Sequence, residues 1–352
     1  MEEIRINRLP LLTYRYLHTN DTPVHFEAPE RGSEPLFSDR TYVKEGGSLP
    51  EDFRGASEET VKALKKGSHY TITIPAHTKA ELTVSLTGSE EHPDTAGAFS
   101  FHLEEGASLD LVYRISGGKE KGTSLFGAYY RLDKEAKLKV SRVESGLSGT
   151  DVYDQRHTVL GERAKADFSA AELGGKDIYV HSYGLLEGKH ASMTEKAVYA
   201  GTGKQHLDFF YHIDHVGKKT HAEIDVKGAL DDESKKIFRG TLDFKRGCSG
   251  SVGDEGDYAI QLAPKTKNIS LPLLLCTEDD VQGNHASSAG QLDSNTIYFL
   301  MSRGFSLEEA RRIVIEALIR PIIDGMDASV QDEVITELRN KLDSKENVNY
   351  EQ

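Results

Sequence analysis

The segment LEEGASLDL, residues 103–111, decides the fold because it returns. LDKEAKLKV follows at 132–140 and LGERAKADF at 160–168, so a leucine, a polar turn, an alanine and an alternating run recur as one unit. Its centre, Ala-x-apolar-x-apolar, also starts at Ala80, loosely at Ala191, and again at Ala222. From Ala80 to Ala222 the alanines are spaced 27, 29, 28, 27 and 31 residues apart. Period-two alternation marks a strand with one buried face. This spacing is too short for a strand–helix–strand unit followed by another strand. It suits a coil of two or three short strands stacked on the coil before it, which is a solenoid. A β-sandwich would also alternate, but its turns come every ~8–12 residues with no higher period. The expected fold is mainly β: a right-handed parallel β-helix with coils of about 28 residues, a mixed N-terminal segment and a C-terminal helical cap.

Three regions follow: 1–65, mixed and polar; 66–300, the β-helix core; and 301–352, helical. The first contains a helix near Ser57–Lys66 that Ser57 can cap. The repeat fades after residue 230, where Ile237–Phe244, Tyr258–Leu262 and Ser270–Cys276 read as further strands. EDDVQGNHASSAG, 278–290, reads as a turn holding a lone histidine. Past 304 the period becomes helical. Ser306-Leu-Glu-Glu309 is a capping box, Ala310, Ile313, Val314, Ala317 and Leu318 form a stripe, and Pro321 should end or kink the helix. Val330, Val334, Leu338 and Leu342 mark a second helix. These helices either cover the open end of the solenoid or present a docking surface.

Composition excludes several functions. A net charge of −14, from 57 acids against 43 bases, disfavours nucleic-acid binding. The start, Met-Glu-Glu-Ile-Arg-Ile-Asn, lacks the features of a secretory signal, and no apolar run is long enough to span a membrane. Two cysteines make no disulfide framework, so a cytoplasmic protein is expected. Cys276, ending LPLLLC, is expected to be buried, and Cys248, in a glycine-rich loop, exposed. SGGKEKGTS (116–124) and AGTGKQH (200–206) lack P-loop spacing. GCSGSVG (247–253) ends its elbow-like stretch on Ser251 instead of glycine and lacks the strand-to-helix context. A polysaccharide-cleaving β-helix could use Asp231-Asp232 or Glu278-Asp279-Asp280, but the chain has no tryptophan for sugar stacking.

One stretch is more specific. Residues 271–305 hold Pro272 before an apolar strand, Asp279-Asp280-Val281, His285 followed by small residues, Gly290-Gln-Leu-Asp293, Tyr298-Phe299, and Ser302-Arg303-Gly304 ahead of Glu308-Glu309-Ala310. This pattern closely resembles the C-terminal signature of the SufB/SufD family of the SUF iron–sulfur cluster assembly system, and LPLLTYRYL (9–17) is similar to the family's N-terminal segment, with Tyr14 or Tyr16 near its usual tryptophan. The SufB type carries a cysteine where this chain has Leu300, and glutamates where Asn284 and Ala286 flank His285. The SufD type has leucine there and keeps the histidine, often as Cys-x-His, although Gly283 stands at that cysteine's place. The resemblance is therefore to a SufD-like subunit.

The resemblance implies a non-catalytic scaffold that pairs with a SufB-like subunit and docks a SufC-like ATPase. A transient iron–sulfur cluster would form at the SufB interface, and ATP would bind only on SufC. His285 would be the metal ligand, with Asp280 orienting its imidazole and Asn284 beside it. Arg303, Glu308, Glu309 and Arg312 would belong to the docking surface. The isolated chain would be able to form a homodimer. A SufB-like scaffold working as a homodimer is the rival within the family.

Overall fold

The computed structural model describes residues 2–12, 15–29, 33–54 and 57–343. Tyr14 and residues 344–352 of the expected helical region lie outside the described residues. The chain is 51% strand and forms a parallel β-solenoid of about 8 turns with coils of ~29 residues, followed by helices. Each coil contributes one strand to each of two sheets. One sheet runs from His69–Ile74, through Thr95–Leu103 and every second strand after it, to Lys267–Cys276. The other runs from Lys79–Thr87 to Val281–Gly290. All neighbours in these runs are parallel and in register. Short antiparallel strands, Leu36–Phe37 and Val43–Glu45, close the first coil.

Four of the repeated alanines mark the corner between the two strands of a coil, whereas Ala80 and Ala222 are the second residues of their strands. Ala107, Ala136, Ala164 and Ala191 are fully buried, and each carbonyl accepts from the first residue of the matching strand one coil later (Lys137, Lys165, Ser192 and His221), at 2.8–3.0 Å. Before each alanine stands a residue with left-handed φ: Gly106, Glu135, Arg163 and His190. The turn thus carries about 1–3 kcal/mol of strain wherever that residue is not glycine, and the stacked ladder above and below must offset it. The leucines that end the preceding strands, Leu103, Leu132 and Leu160, fill the lumen behind the corner. Stacked rings continue the lumen core, Phe99 on Phe126 at 5.4 Å and Phe101 on Tyr130 at 5.0 Å between centroids.

Charges also lie within that lumen. Arg142 meets Glu144 at 2.5 Å, Glu172 at 3.2 Å and Asp154 at 3.5 Å, while Arg156 bridges Asp154 at 3.1 Å and Glu195 at 3.0 Å. Coulomb attraction between these enclosed groups offsets the large cost of desolvating them, so removing one partner would be expensive.

Both sheet flanks are covered. The hairpin of Glu2–Ile6 with Thr22–Phe26, and helix α1 (Glu58–Lys66), capped by Ser57, lie on the first sheet through Ile4, Ile6, Val24, Phe26 and Leu64. The C-terminal helices are α2 (Ser294–Ser302), α3 (Leu307–Ile323) and α4 (Ala328–Asp343). Helices α3 and α4 lie on the flank of the second sheet, over Val112, Val143, Ala171 and Val198, so they do not close the open end of the solenoid. The buried face of α3 is Ala310, Ile315, Ile319, Ile322 and Ile323, which shifts the expected stripe and leaves Ala317 exposed. Pro321 sits inside α3 without ending it at once. With both flanks covered, the last rung is where two full-length parallel strands end their sheets at an open edge.

Candidate functional site

The last rung is built from Lys267–Cys276 and Val281–Gly290, each the outermost strand of its sheet. His285 therefore lies in a strand, and the expected turn is corrected: Val281–Gly290 pairs in register with Ser251–Gln261. The edge carries mostly small polar residues, and residues 282–290 are exposed. Alternation places the side chains. A Cβ on Gly283 would touch Phe244 at 3.2 Å and Leu274 at 3.4 Å, so residue 283 faces the lumen, and His285 two residues on shares that side. Asn284 faces the other way, its amide donating to Asp254 Oδ1 at 2.8 Å.

Asp280 is not brought to His285. Its Oδ2 accepts from Ser249 Oγ at 2.6 Å, and five residues of strand separate the two by roughly 16 Å. Among the described residues, no side chain bonds or ion-pairs with His285. Beneath it, in the same register position one coil earlier, stands Glu255. This carboxyl is 4% exposed and neither oxygen has a hydrogen-bond partner. Burial, with Asp257 adding to it, pushes the Glu255 carboxyl up to about 8. No motif announces Glu255. The available signal is SVGDEGDYAI (251–260), where Glu255 and Asp257 take positions that alternation reserves for apolar side chains.

The cysteines exchange their expected places. Cys248 is buried in the lumen core, and Cys276, on the edge strand, is exposed with its thiol donating to the Glu278 carbonyl at 2.9 Å. The acids proposed for glycan cleavage serve the corners instead: Glu278 accepts from the Gly247 amide and Asp232 from the Gly203 amide. On the outer flank, His212, Asp214 and Asp243 hold ligand atoms within 4.8 Å of one another, but Lys245 already ion-pairs with both aspartates.

Beyond the edge, Asp293 caps α2 by accepting from the Thr296 amide at 2.8 Å. No side chain of α2 is buried, and Tyr298, Phe299 and Met301 stand in solvent with Phe305 beyond them. The Arg303 guanidinium lies 5.0 Å over the Phe299 ring. Ser306 and Glu309 complete the expected capping box at the start of α3, Glu308 shares that first turn, and Arg312 reaches Asp343 at 2.9 Å. Helix α2 and its aromatic surface were not legible as a helix in the sequence.

The model of the SUF system FeS cluster assembly SufBD core domain matches residues 72–318, which takes in the solenoid, the bare rung and α2. The chain belongs to this family. It is 25% identical to the iron–sulfur cluster assembly protein SufD of Bacillus subtilis, over 93% of this chain and 79% of that protein. The iron–sulfur cluster assembly protein SufB of the same organism matches at 25% over 47% of this chain and 36% of its own length. The SufBD family protein Mb1496 of Mycobacterium bovis matches at 22% over 79% of this chain and 31% of its own length. Within the SufB/SufD family the chain is SufD-like. Among the described residues, no helix is long and apolar enough to cross a membrane.

Proposed function

We propose that this SufD-like chain is an assembly subunit that pairs with a SufB-like chain across its last rung and docks a SufC-like ATPase through α2 and the start of α3. The bare rung carries the reading. Two parallel ladders end there with unpaired backbone groups, which a second chain of similar fold can satisfy by continuing both sheets. His285 then stands at the junction, on the lumen side, free of partners within its own described chain. A neutral imidazole is a competent iron ligand, so nascent cluster, as cargo, would be held between His285 and the SufB-like partner. ATP would act only on the SufC-like partner, and this chain would have no catalysis of its own. Asn284 lines the same edge, whereas Asp280 supports the preceding corner. Arg303 lies over Phe299 among the exposed aromatics of α2, a pairing of arginine and aromatic rings common at interfaces, and Glu308, Glu309 and Arg312 follow at the start of α3.

Anaerobic co-purification with SufB- and SufC-like proteins, wild type beside His285→Ala, tests the reading. The expected result is an intact complex that loses iron–sulfur absorbance when His285 is replaced. An intact complex with unchanged cluster content would overturn the role of His285. Absence of any complex would overturn the pairing, and a stable homodimer alone would favour the scaffold that works without SufB.

A further inference from the structure

Glu255 has no use in the fold that explains it. Desolvating a carboxyl without a hydrogen bond is costly, so buried acids are ordinarily paired. Here both oxygens are unpartnered, and the lumen cation Lys236 already bonds Asp257. The opposite wall is cut away to admit the group. A Cβ on Gly240 would lie 2.3 Å from Glu255 Cδ and Oε1 and 2.7 Å from Oε2. The lumen is thus shaped around a carboxyl that no group among the described residues satisfies.

Its position relates it to the mouth. Glu255 and His285 are register partners on adjacent rungs, both on the lumen side. In-register parallel strands lie ~4.8 Å apart, close enough for an imidazole nitrogen and a carboxylate oxygen from neighbouring rungs to converge on one ion at bonds of about 2.0–2.2 Å. A nitrogen and a hard oxygen together suit a divalent first-row ion such as ferrous iron. Polar atoms of Asn268 and Ser270, on the facing edge strand, are likewise buried without partners and add to the polarity of this end.

We propose that Glu255 and His285 form a two-ligand site for one divalent iron at the lumen mouth, the carboxylate from the last covered rung and the imidazole from the bare one. The inference rests on the reading of His285 given above. It adds that the chain itself supplies two ligands, so metal arrives here before any partner sulfur is engaged. Binding exchanges the carboxyl proton for the ion, and the displaced proton leaves through the open mouth.

Anaerobic titration of the full chain with cobalt(II), a spectroscopic stand-in for ferrous iron, tests it. Wild type should take up one ion per chain with visible d–d bands of mixed nitrogen and oxygen ligation. His285→Ala and the isosteric Glu255→Gln should each weaken binding by about tenfold or more, while Glu255→Asp retains part of it, and thermal unfolding checks that each variant folds. If Glu255→Gln does not fold, Gly240→Ala, which displaces the carboxyl, replaces it with the same expected loss. Loss in His285→Ala alone overturns the role of Glu255 and leaves the reading of His285 standing. Binding unaffected by either substitution overturns both. A wild-type chain that takes up no cobalt overturns the two-ligand site, while the co-purification above still decides the role of His285.

Discussion

Arg239 and Asp208 form an ion pair at 2.5 Å with neither side chain exposed, and this pair clamps the N-terminal segment to the solenoid. The guanidinium also donates to the Thr19 carbonyl and Thr22 Oγ1, both at 2.9 Å. Asp208 Oδ1 accepts from Asn7 Nδ2 at 2.9 Å. Arg239→Met leaves the carboxylate buried without its cation and should cost about 3–5 kcal/mol. The double change Asp208→Leu with Arg239→Met should cost less, because no lone charge remains. Urea unfolding of the two variants measures this, and equal losses would contradict it.

Acid should loosen the same flank. Burial holds the imidazole of His157 down at about 4 and that of His181 at about 3. Unfolded histidine titrates near ~6.5. Between these values the unfolded chain takes up protons that the folded chain refuses. The stability these residues confer is therefore full above ~6.5 and is lost as pH falls through the window, by roughly 3 kcal/mol for His157 alone. His157 is enclosed by Phe53, Tyr129 and Tyr183 and accepts from the Arg54 amide, while His181 faces Asn7 Oδ1 at 3.0 Å. Melting temperature should drop between pH 6.5 and 4, and His157→Phe should flatten that drop. An unchanged slope in the variant would sink the assignment.

Much of this architecture was legible because burial and alternation coincide along the coils. The corner alanines and the leucines before them recur at a fixed spacing, and the lumen accepts only such side chains there. The last strand escaped notice for the converse reason: GNHASSAG has no apolar alternation, since its coil lacks a successor to be buried against. Helix α2 likewise buries no side chain, so its residues carry no amphipathic stripe. The cysteines are not placed by their local composition, because Cys248 turns inward at a corner while Cys276 occupies an edge. Glu255 could be suspected from an acid at an inward position, but its relation to His285 needs the register across 30 residues of sequence.

Coil stacking rests on glycines in the same turns as the corner alanines, Gly161 and Gly188 three residues before Ala164 and Ala191, with Gly217 at the matching place one coil later. A Cβ on Gly188 would lie 2.1 Å from backbone atoms of Gly161 and Glu162, and one on Gly217 would lie 2.3 Å from the Gly188 carbonyl oxygen. Backbone cannot rotate aside as a side chain can. Gly188→Ala should therefore cost about 1–3 kcal/mol, whereas Gly290→Ala, with nothing within 4 Å, should be nearly neutral. Paired thermal melts compare them, and a neutral Gly188→Ala would show that the coils can part there at little expense.

The aromatic surface of α2 separates docking from folding. Tyr298 is 75% and Phe299 54% exposed, and the helix holds its shape through its Asp293 cap and the Arg303 cation over Phe299, with no buried side chain. Large exposed apolar groups bordered by charge are what interface centres use, and truncating such an anchor commonly costs above ~1 kcal/mol of binding. Phe299→Asp and Tyr298→Asp should each weaken association with a SufC-like ATPase by about tenfold or more, while melting temperature and pairing with a SufB-like chain stay at wild-type values. Calorimetric titration of the ATPase into each variant reads the first effect, and size-exclusion with the SufB-like chain reads the second. Unchanged ATPase affinity in both variants would move the docking surface away from α2, whereas loss of both associations at once would mean that α2 belongs to the last rung's interface.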